Sequence, residues 1–156
     1  MSFLSSAPGE NPVIVEGKIP APVSKVYGAW TNPEEIVHWF GLNAGAMLSA
    51  EIDLQVGGAW RFLMSESDTV ANYLQGNYLT IEPEECLSFT WQHVVLGCEG
   101  GVEEETDIST VTITFRDEGD ETYLHLCHEG IVKPDGRLGV GKGWNATLGN
   151  LSDWLQ

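Results

Sequence analysis

The stretch STVTITFRDEGDETYLHLCHE, residues 109–129, decides the fold. Val111, Ile113 and Phe115 alternate with Thr112 and Thr114, the period of a strand with one apolar face. Glu118-Gly119 breaks the pattern as a turn, and a second strand follows with Leu124, Leu126 and His128 on one side and Tyr123, His125 and Cys127 on the other. These strands are expected near 108–117 and 121–129. Beyond them the period changes. Val140, Trp144, Leu148, Leu151 and Leu155 recur every three or four residues, which puts them on one helical stripe, with Lys142, Asn145 and Ser152 on other faces. An antiparallel sheet followed by an amphipathic C-terminal helix is thus expected, the two apolar faces packing together.

Upstream, the same period-two signal predicts strands near 47–55, 58–65, 73–82 and 85–92, with turns at Gly57-Gly58, after Ser65 and at Pro83-Glu84. Trp60, Phe62 and Met64 form one inward face; Leu87, Phe89 and Trp91 form another. Gly57-Gly58 reads as a tight hairpin turn, lacking the lysine and helix start of a phosphate loop. Val13 to Ile19 reads as the first strand. Pro20 and Pro22 then stop it and open a short helix from about Val23 to Trp30. Asn32 caps a second short helix that ends at Gly41. Residues 1–12 read as a flexible leader and 13–156 as one domain, in keeping with 156 residues of which 42% are apolar.

Seven basic residues against 23 acidic ones give a net charge of −16, which repels nucleic acid and anionic bilayers. No apolar run is long enough to span a membrane, and Met1 to Ser6 has no signal-peptide pattern. Cys86, Cys98 and Cys127 are odd in number and unpaired in spacing, so a reducing, cytoplasmic setting is expected, with Cys86 and Cys127 as small strand hydrophobes. The acidic run from Glu99 to Asp107 reads as a solvated loop, with docking of a basic partner as its alternative.

Several segments then carry a resemblance. Ile19-Pro20-Ala21-Pro22-Val23, Asn32-Pro33-Glu34 with Trp39-Phe40, Asp53-Leu54-Gln55-Val56-Gly57-Gly58, Gly76-Asn77-Tyr78-Leu79-Thr80-Ile81-Glu82-Pro83, Leu87 to Trp91, and His128-Glu129-Gly130 with Gly143-Trp144 occur in an order that resembles the activator-of-Hsp90-ATPase-like branch of the START-related proteins. The resemblance implies a helix-grip fold: a curved antiparallel sheet wrapped around a long C-terminal helix, with two short helices after the first strand. It also implies a space between sheet and helix that holds a small, mostly apolar ligand.

Trp60, Phe62, Phe89, Trp91, Phe115, Leu124, Leu126, His128, Trp144, Leu148 and Leu151 are the expected lining, with Trp30, Trp39 and Phe40 closing one end. Tight packing without a usable cavity is the competing expectation. Glu51, Arg61, His93 and His125 are the other polar candidates. His128 reads first as a structural histidine, while an acid–base pair would join it to Glu51 or Tyr78. His125 and His128 should point to opposite faces of their strand, so no metal is indicated, and no cofactor motif is present. Three roles follow: a noncatalytic binder of a small apolar molecule, an enzyme of polyketide cyclase or aromatase type, or a cochaperone-like module that binds a chaperone or other protein.

Overall fold

The computed structural model describes residues 4–5 and 10–156, with side chains from Glu10 onward. Most of the leader expected over 1–12 lies outside the described residues.

Nine strands and three helices are described: β1 (Leu4–Ser5), β2 (Val13–Ile19), α1 (Val23–Thr31), α2 (Pro33–Trp39), β3 (Ser49–Ile52), β4 (Ala59–Glu66), β5 (Val70–Glu82), β6 (Cys86–Gly97), β7 (Val102–Glu105), β8 (Ser109–Asp117), β9 (Thr122–Glu129) and α3 (Pro134–Trp154). All strand pairs are antiparallel, in the order β1-β2-β9-β8-β6-β5-β4-β3. The sheet curves around α3, which is the helix-grip arrangement.

The alternation in β8 and β9 becomes strict burial. Val111, Ile113, Leu124, Leu126 and His128 are buried, while Thr112, Thr114, Tyr123, His125 and Cys127 are less so. The two short helices begin as the sequence dictates. Asn32 Oδ1 accepts the Glu34 N–H at 2.9 Å, Pro33 occupies the first turn of α2, and Gly41 at φ +107° carries the chain away.

Two expectations need correction. The acidic run is not wholly a loop, because Val102–Glu105 pairs with Val94 to Leu96. β6 runs past the end of β8, which pairs only with Cys86 to Trp91, and β7 covers the edge that would otherwise be bare. Its glutamates keep the new outer edge charged, which discourages further strand pairing. Gly57-Gly58 is not a two-residue hairpin: the chain between Ile52 and Ala59 makes a longer loop, in which Gly57 N–H donates to the Tyr78 carbonyl and Tyr78 N–H to that of Gly58. A Cβ on Gly58 would strike the Asp53 carbonyl. Ser152, off the apolar stripe, is nevertheless buried. α3 is covered by α2 as well as by the sheet, so its buried arc is wider than its apolar stripe: His38 of α2 stacks on Trp154 at 4.8 Å, and Asn150 Nδ2–H donates to the Gly41 carbonyl at 2.8 Å.

Candidate functional site

A cavity of about 330 Å³ opens between the sheet, the 41–46 loop and the first half of α3. Its walls are mostly apolar. Met64 of β4, Leu74 of β5 and Trp91 of β6 come from the concave face of the sheet; Phe40, Leu42 and Ala46 come from the end of α2 and its loop; Val140, Gly143 and Trp144 come from α3. Among the described residues, Asn43 and Thr147 are the polar side chains of the lining, and none of the lining side chains is ionisable. The Thr147 hydroxyl already donates to the Gly143 carbonyl at 2.7 Å. The space beside α3 is open where the helix carries glycine: a Cβ placed on Gly143, which lines the cavity, would meet no atom within 4 Å.

Behind this cavity lies a recess of about 10 Å³, walled by Trp30, Trp60, Phe62, Tyr78 and Phe89 among others. Phe40 and Trp91 line both spaces and form the partition between them, their ring centroids 6.2 Å apart. The buried indole N–H groups of Trp30 and Trp60 have no hydrogen-bond partner among the described residues. Such burial costs about 1–3 kcal/mol for each unmet group.

Trp144, the main aromatic wall of the outer cavity, is held by His128. The indole can only donate, so Trp144 Nε1–H donates to His128 Nδ1 (3.0 Å), and Nδ1 must be bare. The ring proton therefore sits on Nε2 and is donated to Ser109 Oγ (2.7 Å). The serine hydroxyl in turn faces the Trp91 carbonyl at 3.4 Å. His128 is fully buried, and burial pushes its pKa down from 6.5 to about 4. Protonation would also set a second N–H against the Trp144 indole. The Ser109–His128 pair consequently cannot work as a nucleophile and base, since the nitrogen facing the serine carries a proton instead of a lone pair.

The anticipated lining residues fall into three places. Trp91 and Trp144 border the outer cavity, and Trp60, Phe62 and Phe89 border the recess. Phe115, Leu124, Leu126, Leu148 and Leu151 are packed in the core between sheet and helix. Trp39 is also in this core, its indole donating to the Ala29 carbonyl at 3.3 Å. Glu51, exposed, stands opposite Arg61 on the outermost strand pair, and Arg61 lies over the Tyr73 ring at 3.8 Å. Tyr78 shares a cross-sheet row with His128 through Phe89 and Val111, but three strand spacings separate them, roughly 14 Å. The possible acid–base partners are thus not brought together. His125 faces Glu16 on the outer side of β9, 3.8 Å away, opposite to His128. His93 pairs with Asn72 at 3.2 Å, one step beyond Trp91 on the concave face.

Met64, Leu74 and the 41–46 loop were not anticipated as walls. Met64 was legible as inward-facing, whereas the loop has no periodicity to place it. Gly143 had a signal, the density of glycines ahead of Trp144, that marks where a helix lacks side chains.

Among solved structures, CalU16 from Micromonospora echinospora superposes with a TM-score of 0.68 at 23% identity, over 100% of this chain and 87% of that one. A protein from Arthrobacter aurescens matches with a TM-score of 0.76 at 16% identity, over 99% and 92% of the two chains. DynU16, from the dynemicin biosynthetic locus, matches with a TM-score of 0.70 at 22% identity, over 94% of this chain and 47% of its own. These likenesses establish the shared fold. No curated protein matches significantly in sequence. The profile described as activator of Hsp90 ATPase homolog 1-like protein matches residues 20–156, from the end of β2 through α3, and the chain belongs to that family.

Proposed function

We propose that this domain binds a small, predominantly apolar molecule in the cavity between the sheet, the 41–46 loop and the first half of α3. The observation that carries this reading is the cavity itself. Its volume of about 330 Å³ lies within the range of small-molecule sites, and its aromatic and aliphatic walls would bury a flat or branched hydrocarbon skeleton. Trp91 and Trp144, with centroids 5.1 Å apart, offer ring faces against which such a skeleton can stack.

Binding without turnover fits the walls best. A cyclase-type reaction needs a group that moves a proton inside the cavity, and among the described residues the lining holds only Asn43 and Thr147 as polar side chains. His128 lies behind Trp144 with both nitrogens engaged, and His93, one step beyond Trp91 on the concave face, pairs with Asn72. A protein-binding role, which the family description suggests, makes no use of the cavity.

Native mass spectrometry on freshly purified protein tests the reading. A bound small molecule, or a stoichiometric complex formed on adding a naphthalene-sized hydrocarbon, is the expected result. A clean unliganded mass that stays unchanged across a panel of flat apolar compounds would overturn it and direct attention to protein partners.

A further inference from the structure

The face of α3 that lines the outer cavity continues past it. Val140, Gly143, Trp144 and Thr147 line the cavity at helical spacing, and Gly136, one turn before Val140, falls on the same face. Gly136 borders a second space of about 340 Å³, set between the start of α3, the 130–133 segment and the link from β7 to β8. Trp91 and Val140 border both spaces, and both are only partly buried. The two spaces therefore follow one another along a single groove, with Trp91 on its sheet side and Val140 on its helix side where they meet. From Gly136 to Thr147 the helix rises roughly 16 Å, enough for two ring systems end to end.

The second space differs from the first in chemistry. Its walls include the carboxylates of Glu105 and Asp107, the ammonium of Lys133 and the hydroxyls of Thr106 and Ser109. The side chains of Glu105, Asp107 and Lys133 are exposed and make no hydrogen bond or ion pair with another described residue. The segments that carry them are nonetheless fixed. Thr106 N–H donates to the His93 carbonyl at 3.0 Å, while Thr106 Oγ1 accepts the His93 N–H and its carbonyl accepts the Gln92 side-chain amide, each at 3.0 Å. In the 130–133 segment, the Arg137 guanidinium donates to the carbonyls of Ile131 (3.0 Å) and Val132 (2.9 Å). Unpaired polar side chains on a pinned backbone can engage a ligand with little of the ordering cost of a mobile loop.

These groups select the end of a ligand that enters the second space. A cation meets Lys133, and an anion meets Glu105 and Asp107 within a chain of net charge −16. A neutral hydroxyl donates to the carboxylates and accepts from the ammonium without bringing a charge of its own. We infer that the ligand is bipartite, with an apolar ring system in the outer cavity and a neutral, polyhydroxylated end of sugar type in the second space. This rests on the ligand-binding reading of the outer cavity and adds the chemical class of the ligand. Glu105, Asp107 and Lys133 are then specificity residues.

The test titrates the wild-type protein and a Glu105→Ala/Asp107→Ala variant with 2-naphthyl β-D-glucoside and with the hydrocarbon 2-isopropenylnaphthalene, following backbone amide signals by NMR. Both substituted residues are exposed, so the variant should keep its stability. The glucoside should bind the wild type about tenfold more tightly than the variant, whereas the hydrocarbon should bind both equally. The glucoside should shift the Thr106 and Gly136 amides together with that of Gly143; the hydrocarbon should shift Gly143 without the other two. 2-Naphthyl β-D-glucuronide, which adds one carboxylate, should bind more weakly than the glucoside. Equal affinity of the two proteins for the glucoside, with Thr106 and Gly136 unmoved, would overturn this inference and leave the cavity reading standing. A glucuronide bound as tightly as the glucoside, or a glucoside that shifts Thr106 and Gly136 without Gly143, would also overturn it. Binding of neither naphthyl probe nor the hydrocarbon would instead remove the cavity reading beneath it.

Discussion

The two halves of α3 differ more than any two elements of the molecule. From Trp144 to Trp154 the helix buries Trp144, Thr147, Leu148, Leu151 and Ser152, and its apolar stripe closes the core against the sheet. From Pro134 to Gly143 it buries nothing completely, and glycine occupies positions 136, 139, 141 and 143. Each such glycine costs a helix interior up to about 1 kcal/mol against alanine. One half is built for stability, and the other gives up helix propensity and leaves space beside it. The candidate site lies at their junction, where Gly143 supplies room and Trp144 supplies a wall anchored by His128.

This contrast can be broken most severely in the packed half. Leu148→Ala should lower stability by about 3 kcal/mol in urea denaturation, because a fully buried leucine is replaced by a void. Leu138→Ala, in the glycine-rich half where Leu138 is exposed, should change it by less than about 0.5 kcal/mol. Comparable losses at both positions would erase the distinction.

Acid should act on the anchor at the junction. His128 titrates near 4 when folded and near 6.5 when unfolded, so between these values the unfolded chain holds the extra proton. Stability from this residue is complete above about pH 6.5 and declines as pH falls towards 4, by up to about 3 kcal/mol. Equilibrium unfolding measured across that range should show the decline in the wild type, and His128→Leu should remove its histidine component. An unchanged slope in the variant would show that other groups carry it.

The smallest change sharpens the other side of the comparison. Gly139→Ala should stabilise the protein by about 0.5–1 kcal/mol, since a Cβ there meets nothing within 4 Å and removes backbone freedom from the unfolded chain. A loss in thermal melting would mean that this turn needs glycine for a reason other than space.

The same contrast explains how much the sequence disclosed. Strict alternation in residues 109–129 and the three-four spacing after Val140 made the sheet, the inward set of β8 and β9, and the packed half of α3 readable. The early half of the helix has no apolar period, so its start at Pro134 was not legible. β7 was hidden by its charge, because its pairing comes from the overhang of β6 and not from any apolar face of its own. At the site, Trp91 and Trp144 were readable from periodicity. The 41–46 loop was not, since Asn150 and the end of α2 place it through tertiary contact. The role of His128 as a holder of Trp144 needed the helix docked on the sheet, because the two residues are linked only across that packing.

Gly143→Leu tests the central claim most directly. The substitution projects a side chain into the open cavity at a position where removing glycine favours the helix. Titration of both proteins with 2-isopropenylnaphthalene, followed by tryptophan fluorescence, should show saturable quenching in the wild type and at least a tenfold loss of affinity in a variant that is as stable or more so. Equal affinity in the two proteins, or no binding by the wild type, would contradict the account.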